Sequence, residues 1–195
     1  MLFNHKDEIT RQLKNIATQD NGGVKIEDAD KFRGDVVDWL VQNAVLNPSS
    51  GIKGLSRFLI KSAALELGIV NSSIQGLYVA RGRGEVKGFT VPALNIRGMP
   101  YELCRAIFRT AIKSNAGAFI FELAKSEMGY TFQKPHELST VILAAAIKER
   151  FTGPVFIQGD HFQINAKNYA KDPEKEVAGL KNLIQSGIAG GFYNI

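Results

Sequence analysis

Apolar residues in 27–46, "EDADKFRGDVVDWLVQNAVL", recur at offsets of three and four. Phe32, Val36, Val37, Leu40, Val41 and Ala44 line one side of a helix, and acids crowd its first turn, where the helix dipole favours them. Residues 52–67 repeat the pattern with Ile52, Leu55, Leu59 and Ala63, and Gly68 stands where a helix C-cap is expected. The turn-rich run "NPSSG" at 47–51 separates the two helices. The next segment, "SIQGLYVA", fits a helix and a strand equally.

Near residue 88 the rhythm changes to strand, helix, strand, helix. "GFTVPALNI" reads as a strand made irregular by Pro92. A helix follows in "MPYELCRAIFRTAIKSNAG", with Pro100 in its first turn and Leu103, Ala106, Ile107 and Ile112 expected towards one face. "AFIFEL" is the next strand, "KPHELSTVILAAAIKERFTG" the next helix, and "PVFIQ" the third strand. In "DPEKEVAGLKNLIQSGIAG" Asp172 is the expected N-cap, Pro173 takes the first helical position and Gly187 is the expected C-cap. "GFYNI" begins a fourth strand. Short apolar strands joined by helices predict an α/β fold with a parallel sheet covered on both faces. Periodicity alone leaves a doubly wound sheet and a barrel equally open.

Composition narrows the classes. The chain has 195 residues, 45% apolar and 22% charged, the profile of a globular protein. No apolar run reaches the ~18 residues a membrane span needs, and the charged N-terminus lacks the apolar core of a secretory signal. A single cysteine, Cys104, excludes an intramolecular disulfide and a cysteine-built zinc site, so a cytoplasmic location is the simplest expectation. The net charge of +5 is spread among acids rather than gathered, so no nucleic-acid partner is expected. The densest basic stretch, "ARGRGEVKG" at 80–88, reads as a solvated Gly-rich turn ahead of a strand, which is the wrong side for a phosphate loop.

Ligands bind at the carboxyl ends of parallel strands. The residues to inspect are therefore Asn95, Ile96 and Arg97 after the first strand, Glu122 to Ser126 after the second, and Asp160 and His161 after the third. A neutral imidazole can hold Zn²⁺, and a carboxylate beside it can move a proton on a bound substrate. The alternative is a surface pair on a loop, or a carboxylate capping backbone N–H groups. His136 and His5 sit in settings that read as exposed surface. One histidine is not a zinc site, since at least two further protein ligands are normally needed.

"GFTVPALNIRG", "GAFIFELAKSE" and "GPVFIQGDHFQ" together resemble the first three strands of class II, metal-dependent, fructose-bisphosphate and ketose-bisphosphate aldolases. "VPALN" matches that family's first strand, and the Asp-His ending of the third strand is the most specific part. "GGFYNI" resembles its fourth strand. The resemblance covers residues 86–195. It implies a partial (β/α)₈ TIM barrel of about four strands, preceded by a helical N-terminal extension over 1–85. It also implies reversible aldol cleavage of a phosphorylated sugar such as fructose 1,6-bisphosphate. Asp160 is then the catalytic acid/base, Asn95 a substrate-binding residue and His161 a ligand of Zn²⁺, with the remaining ligands expected beyond Ile195. On this reading the chain is the N-terminal part of a longer lyase. An open half barrel leaves an unpaired edge and invites association into a homo-oligomer. The competing expectation is a non-catalytic binding or regulatory protein built on a truncated barrel.

Overall fold

The structure, a computed structural model, describes residues 1–20 and 22–195. In chain order it runs α1 (Lys6–Gln12), β1 (Ala17–Asp20), β2 (Gly23–Ile26), α2 (Ala29–Lys31), a wide π-type turn (Phe32–Val36), α3 (Val37–Leu46), α4 (Ser50–Glu66), β3 (Ile69–Ser72) and α5 (Gln75–Gly82). It continues through β4 (Ala93–Asn95), α6 (Pro100–Lys113), β5 (Ile120–Ala124), α7 (Lys125–Thr131), α8 (Pro135–Lys148), β6 (Gly153–Asp160), α9 (Ala166–Lys171) and α10 (Pro173–Gly190). Two compact units interleave along the chain. Met1–Val70, Met99–Ala116 and Thr140–Pro154 make the first; Asn71–Gly98, Gly117–Ser139 and Val155–Ile195 make the second. A single division after residue 85 is therefore not the one observed, because α6 and the C-terminal part of α8 bury their apolar faces within the first unit.

In the first unit, the expected helix over 27–46 forms in two pieces. Asp28 caps α2 by accepting from the Lys31 N–H (3.0 Å). The helix then widens at Phe32–Val36, where Gly34 leaves helical geometry with ψ −118°. The Gly34 carbonyl accepts from Lys148 Nζ (2.6 Å), which also pairs with Asp38 Oδ2 (2.7 Å). Asp38 Oδ1 in turn accepts from the Tyr101 hydroxyl (2.7 Å). One ammonium, one carboxylate and one phenol thus hold the kink. Beyond it, Val37, Leu40, Val41 and Ala44 are buried as the spacing predicts, and so are Ile52, Leu59 and Ala63 of α4.

Two expectations for this unit need correction. The N-terminal region is not purely helical: β1 and β2 form an antiparallel hairpin with Ala17 opposite Ile26 and Asp20 opposite Gly23, and β3 joins the parallel sheet. Thr18, Gln19 and Asp20 are all exposed, so β1 carries no apolar alternation to announce itself. In α6 the buried residues are Cys104, Phe108 and Ala111, while Leu103 and Ile112 are 39% and 50% exposed. Both sets have helical spacing. Phe108 decides between them, because it packs on Phe151 with ring centroids 4.9 Å apart.

The second unit holds most of the sheet. Its four parallel strands lie in the order β3–β6–β5–β4, which fits the α/β class. Only Ala93–Asn95 of the expected first strand is extended in the sheet. Pro92 still contributes, accepting from the Ile120 N–H (2.9 Å) through its carbonyl. Asn194 makes a parallel bridge to Gln158, so the expected fourth strand is reduced to one residue. "SIQGLYVA" resolves as helix α5. Asp172 caps α10 as expected, accepting from the Lys175 N–H (3.0 Å). Gly187 does not end that helix, which runs on to Gly190; Gly191, at φ +102°, makes the left-handed turn. Of the stretch at 80–88, residues 80–82 end α5 and the turn follows from 83, with Arg81 over the Phe89 ring at 5.3 Å.

Register places the chemistry. Paired residues of parallel strands share a face, and successive residues alternate faces. Ala93, Ile120 and Phe156 thus form one row, Asn95, Glu122 and Gln158 the next, and Ala124 and Asp160 the row at the end. Ile120 and Phe156 are buried with Ile74, and Leu77, Val91 and Ala118 pack against them. The face is apolar at its base and polar at the carboxyl ends of its strands. Its opposite side carries Gly159, where an added Cβ would lie 2.7 Å from the Phe162 ring.

Two outcomes are expected. Gly159→Ala forces the Phe162 ring aside and destabilises by about 1–3 kcal/mol, a Tm loss of roughly 2–10 °C for a chain of this size. Thermal melts of the single and double variants check this: the penalty disappears in a Phe162→Ala background, and a penalty that persists there rejects the steric cause. The second concerns pH. Burial, followed by the hydrogen bond to Asp38, pushes the Tyr101 phenol up from its ordinary value. An acid held neutral in the folded state stabilises it below its unfolded pKa and loses that contribution as pH rises past about 10. Urea midpoints from pH ~8 to ~11 should fall more steeply for the unaltered protein than for Tyr101→Phe; equal slopes would exclude this role for Tyr101.

Candidate functional site

Asn95, Asp160 and His161 all lie at the carboxyl ends of the strands in the second unit. Asn95 ends β4 and Asp160 ends β6, with β5 between them. Both side chains belong to the polar face, and Asn95 Nδ2 donates to Asp160 Oδ2 (3.4 Å). The same nitrogen donates to Glu127 Oε2 (3.0 Å), and that oxygen also accepts from the Ala124 N–H (2.9 Å). In the same row as Asn95, Gln158 Nε2 donates to Glu122 Oε2 (2.5 Å). Glu122 and Glu127 are each 8% exposed, so the donors facing them are what make their ionised forms tolerable. Arg97 adds a cation to Glu127 (3.3 Å), and the Tyr130 hydroxyl bonds to the same guanidinium.

His161 follows the strand with φ +47°, a left-handed backbone that few side chains adopt. That torsion resolves a geometric difficulty, since neighbours in an extended strand point to opposite faces. Turning the chain at 161 sets His161 Nε2 3.7 Å from Asp160 Oδ1, with the imidazole 70% exposed and the carboxylate 25% exposed. A local bond from the Gln163 N–H to the His161 carbonyl (2.9 Å) holds the turn. His161 also lines a cleft of about 430 Å³ with Lys125, Ser126, Gly129, Gln163, Ile164, Asn165 and Asn168. Glu176, in the first turn of α10, ties this loop down by accepting from the Asn165 N–H (2.9 Å) and from Lys125 Nζ (3.0 Å). The Asn165 and Lys125 bonds, in that order, hold the Glu176 carboxyl below its ordinary value.

A resident zinc needs three protein ligands or more. Among the described residues, no three His, Cys, Asp or Glu side chains form a group able to hold a metal ion. His161 is open to serve as one ligand, but the residues present do not make a site for Zn²⁺ by themselves. What they do make is a cluster of carboxylates and amides at the strand ends. Asp160 is a carboxylate 25% exposed, and Asn95 is an amide held beside it.

Reading the strands from the sequence found Asn95, Asp160 and His161 but passed over Glu127, which completes the Asn95 contacts. Its signal was the spacing of Glu127 three residues after Ala124, the offset at which a carboxylate returns to cap a helix start. No helix among the described residues is long and apolar enough to cross a membrane. Comparison with known proteins leaves the assignment to this geometry: no family model, no curated protein and no solved structure matches the chain.

Proposed function

We propose that the chain carries the proton-transfer part of an aldol-cleavage site for a phosphorylated ketose, as its resemblance to class II aldolases implies. One observation carries the reading: the 3.4 Å contact between Asn95 and Asp160 across the carboxyl ends of β4 and β6. Had these groups lain on opposite faces of the sheet, the reading would have no support. Strands β4, β5 and β6 are the first three strands of a (β/α)₈ barrel on this reading, while β3 from the N-terminal region is the other neighbour of β6 and Asn194 adds a one-residue bridge to it.

The resemblance implies the chemistry. Asp160, as a carboxylate, accepts the proton of the hydroxyl on the substrate carbon that becomes the aldehyde, one end of the bond to be broken. The C–C bond then breaks, its electron pair passes towards the neighbouring carbonyl, and an aldehyde leaves. In the reverse direction Asp160 returns the proton to the new hydroxyl. Asn95 orients the substrate by accepting from a hydroxyl through Oδ1, since its nitrogen is engaged by carboxylates. The resemblance assigns the carbonyl's electrophilic partner to Zn²⁺, with His161 as one ligand.

Two measurements test this. In the protein expressed from its whole reading frame, Asp160→Asn should lower kcat for cleavage of fructose 1,6-bisphosphate by about 10²–10⁴-fold with a smaller change in KM. Chelation should abolish the activity and Zn²⁺ should restore it. Cleavage that survives both chelation and Asp160→Asn rejects the reading, and sugar-phosphate binding without cleavage favours a binding protein instead. For the 195-residue chain alone, calorimetric titration with Zn²⁺ should give a Kd weaker than about 1 μM and no cleavage, because a single imidazole cannot make the site. Tighter binding that Asp160→Asn and His161→Ala both abolish would show that these residues suffice.

A further inference from the structure

Glu127 makes more contacts than capping a short helix requires. It lies in the first turn of α7, three residues past the end of β5. A cap needs the bond from the Ala124 N–H and nothing else. Yet the same Oε2 also accepts from Asn95 Nδ2, and Oε1 faces Arg97. The Asn95 amide has two N–H groups, and they go to two carboxylates, Glu127 at 3.0 Å and Asp160 at 3.4 Å. The flipped amide would set its oxygen against both negative charges. Charge therefore fixes which way Asn95 faces, and Glu127 makes the shorter of the two bonds.

We propose that Glu127 is a positioning residue of the strand-end site: it sets the rotation of the Asn95 amide and, through that amide, the direction of the Asp160 carboxylate. Arg97 holds Glu127 in place from its other oxygen. The consequence for a ligand is that Asn95 presents an acceptor, so the group it recognises is a hydroxyl rather than a second carbonyl or a phosphate oxygen. This rests on the reading of Asp160 as the proton carrier, but its test reads the amide directly and needs no turnover.

The test is nuclear magnetic resonance of the isotope-labelled chain at one neutral pH, reading the positions of the two side-chain amide proton signals of Asn95 and their exchange with water. In the unaltered protein the two signals should be separate and slow to exchange. Glu127→Gln should move one signal and leave the other nearly in place, and Asp160→Asn should do the reverse. Glu127→Ala should bring the two proton signals together and speed their exchange with water. Glu127→Gln retains an oxygen for the Ala124 N–H, so it keeps the test available if Glu127→Ala does not fold. If Glu127 only caps α7, Glu127→Ala will lower the Tm while the Asn95 signals stay as in the unaltered protein; that result overturns the proposal. Asn95 signals that answer to Glu127 beside undiminished cleavage by Asp160→Asn support the positioning role and remove the lyase reading, so the two can fail separately.

Discussion

Three carboxylates, Glu122, Glu127 and Asp160, crowd one end of one sheet face, and two of them are almost fully buried. Such groups stay charged away from water only when donors surround them. Here the donors are two side-chain amides, one backbone N–H and one guanidinium, all contributed by the strands or the turns that follow them. The parallel register makes this possible by bringing Asn95, Glu122 and Gln158 into a single row. Sliding one strand by one residue would send its polar group to the opposite face and leave its partners bare. The site and the sheet therefore depend on the same alignment.

Below that row the same face turns apolar. Ile120 and Phe156 are buried with Ile74, which precedes α5. The polar row thus sits over a hydrophobic base. The loop after β6, which lines the cleft beside His161, is held by Glu176 through Asn165 and Lys125. The first unit uses a comparable economy in a structural role, where Lys148 satisfies a carbonyl released by the kink at Gly34 and a carboxylate one turn later.

Much of this was legible along the chain. The strand–helix alternation after residue 88, the cap at Asp172 and the strand-end positions of Asn95 and Asp160 all follow from local rules, because each depends on neighbours within a few residues. What escaped depends on distant ones. The hairpin at 17–26 has a polar first strand, so no periodicity marks it. The buried stripe of α6 is chosen by Phe151, far away in sequence. Gly187 resembles a helix end, but the helix continues past it; an added Cβ there would lie 3.3 Å from the Phe162 ring. Glu127 carries a legible local job as a cap, and that job hid its longer reach to Asn95.

The left-handed torsion at His161 has a further meaning for how the position can change. A non-glycine residue held there stores roughly 1–3 kcal/mol of conformational energy. Valine, isoleucine and threonine are the worst placed to accept that torsion, while asparagine and glycine accept it readily. Substitutions tolerated at 161 are thus filtered by backbone geometry before any question of imidazole chemistry arises, and the rim of the cavity is anchored by a twist as much as by a side chain.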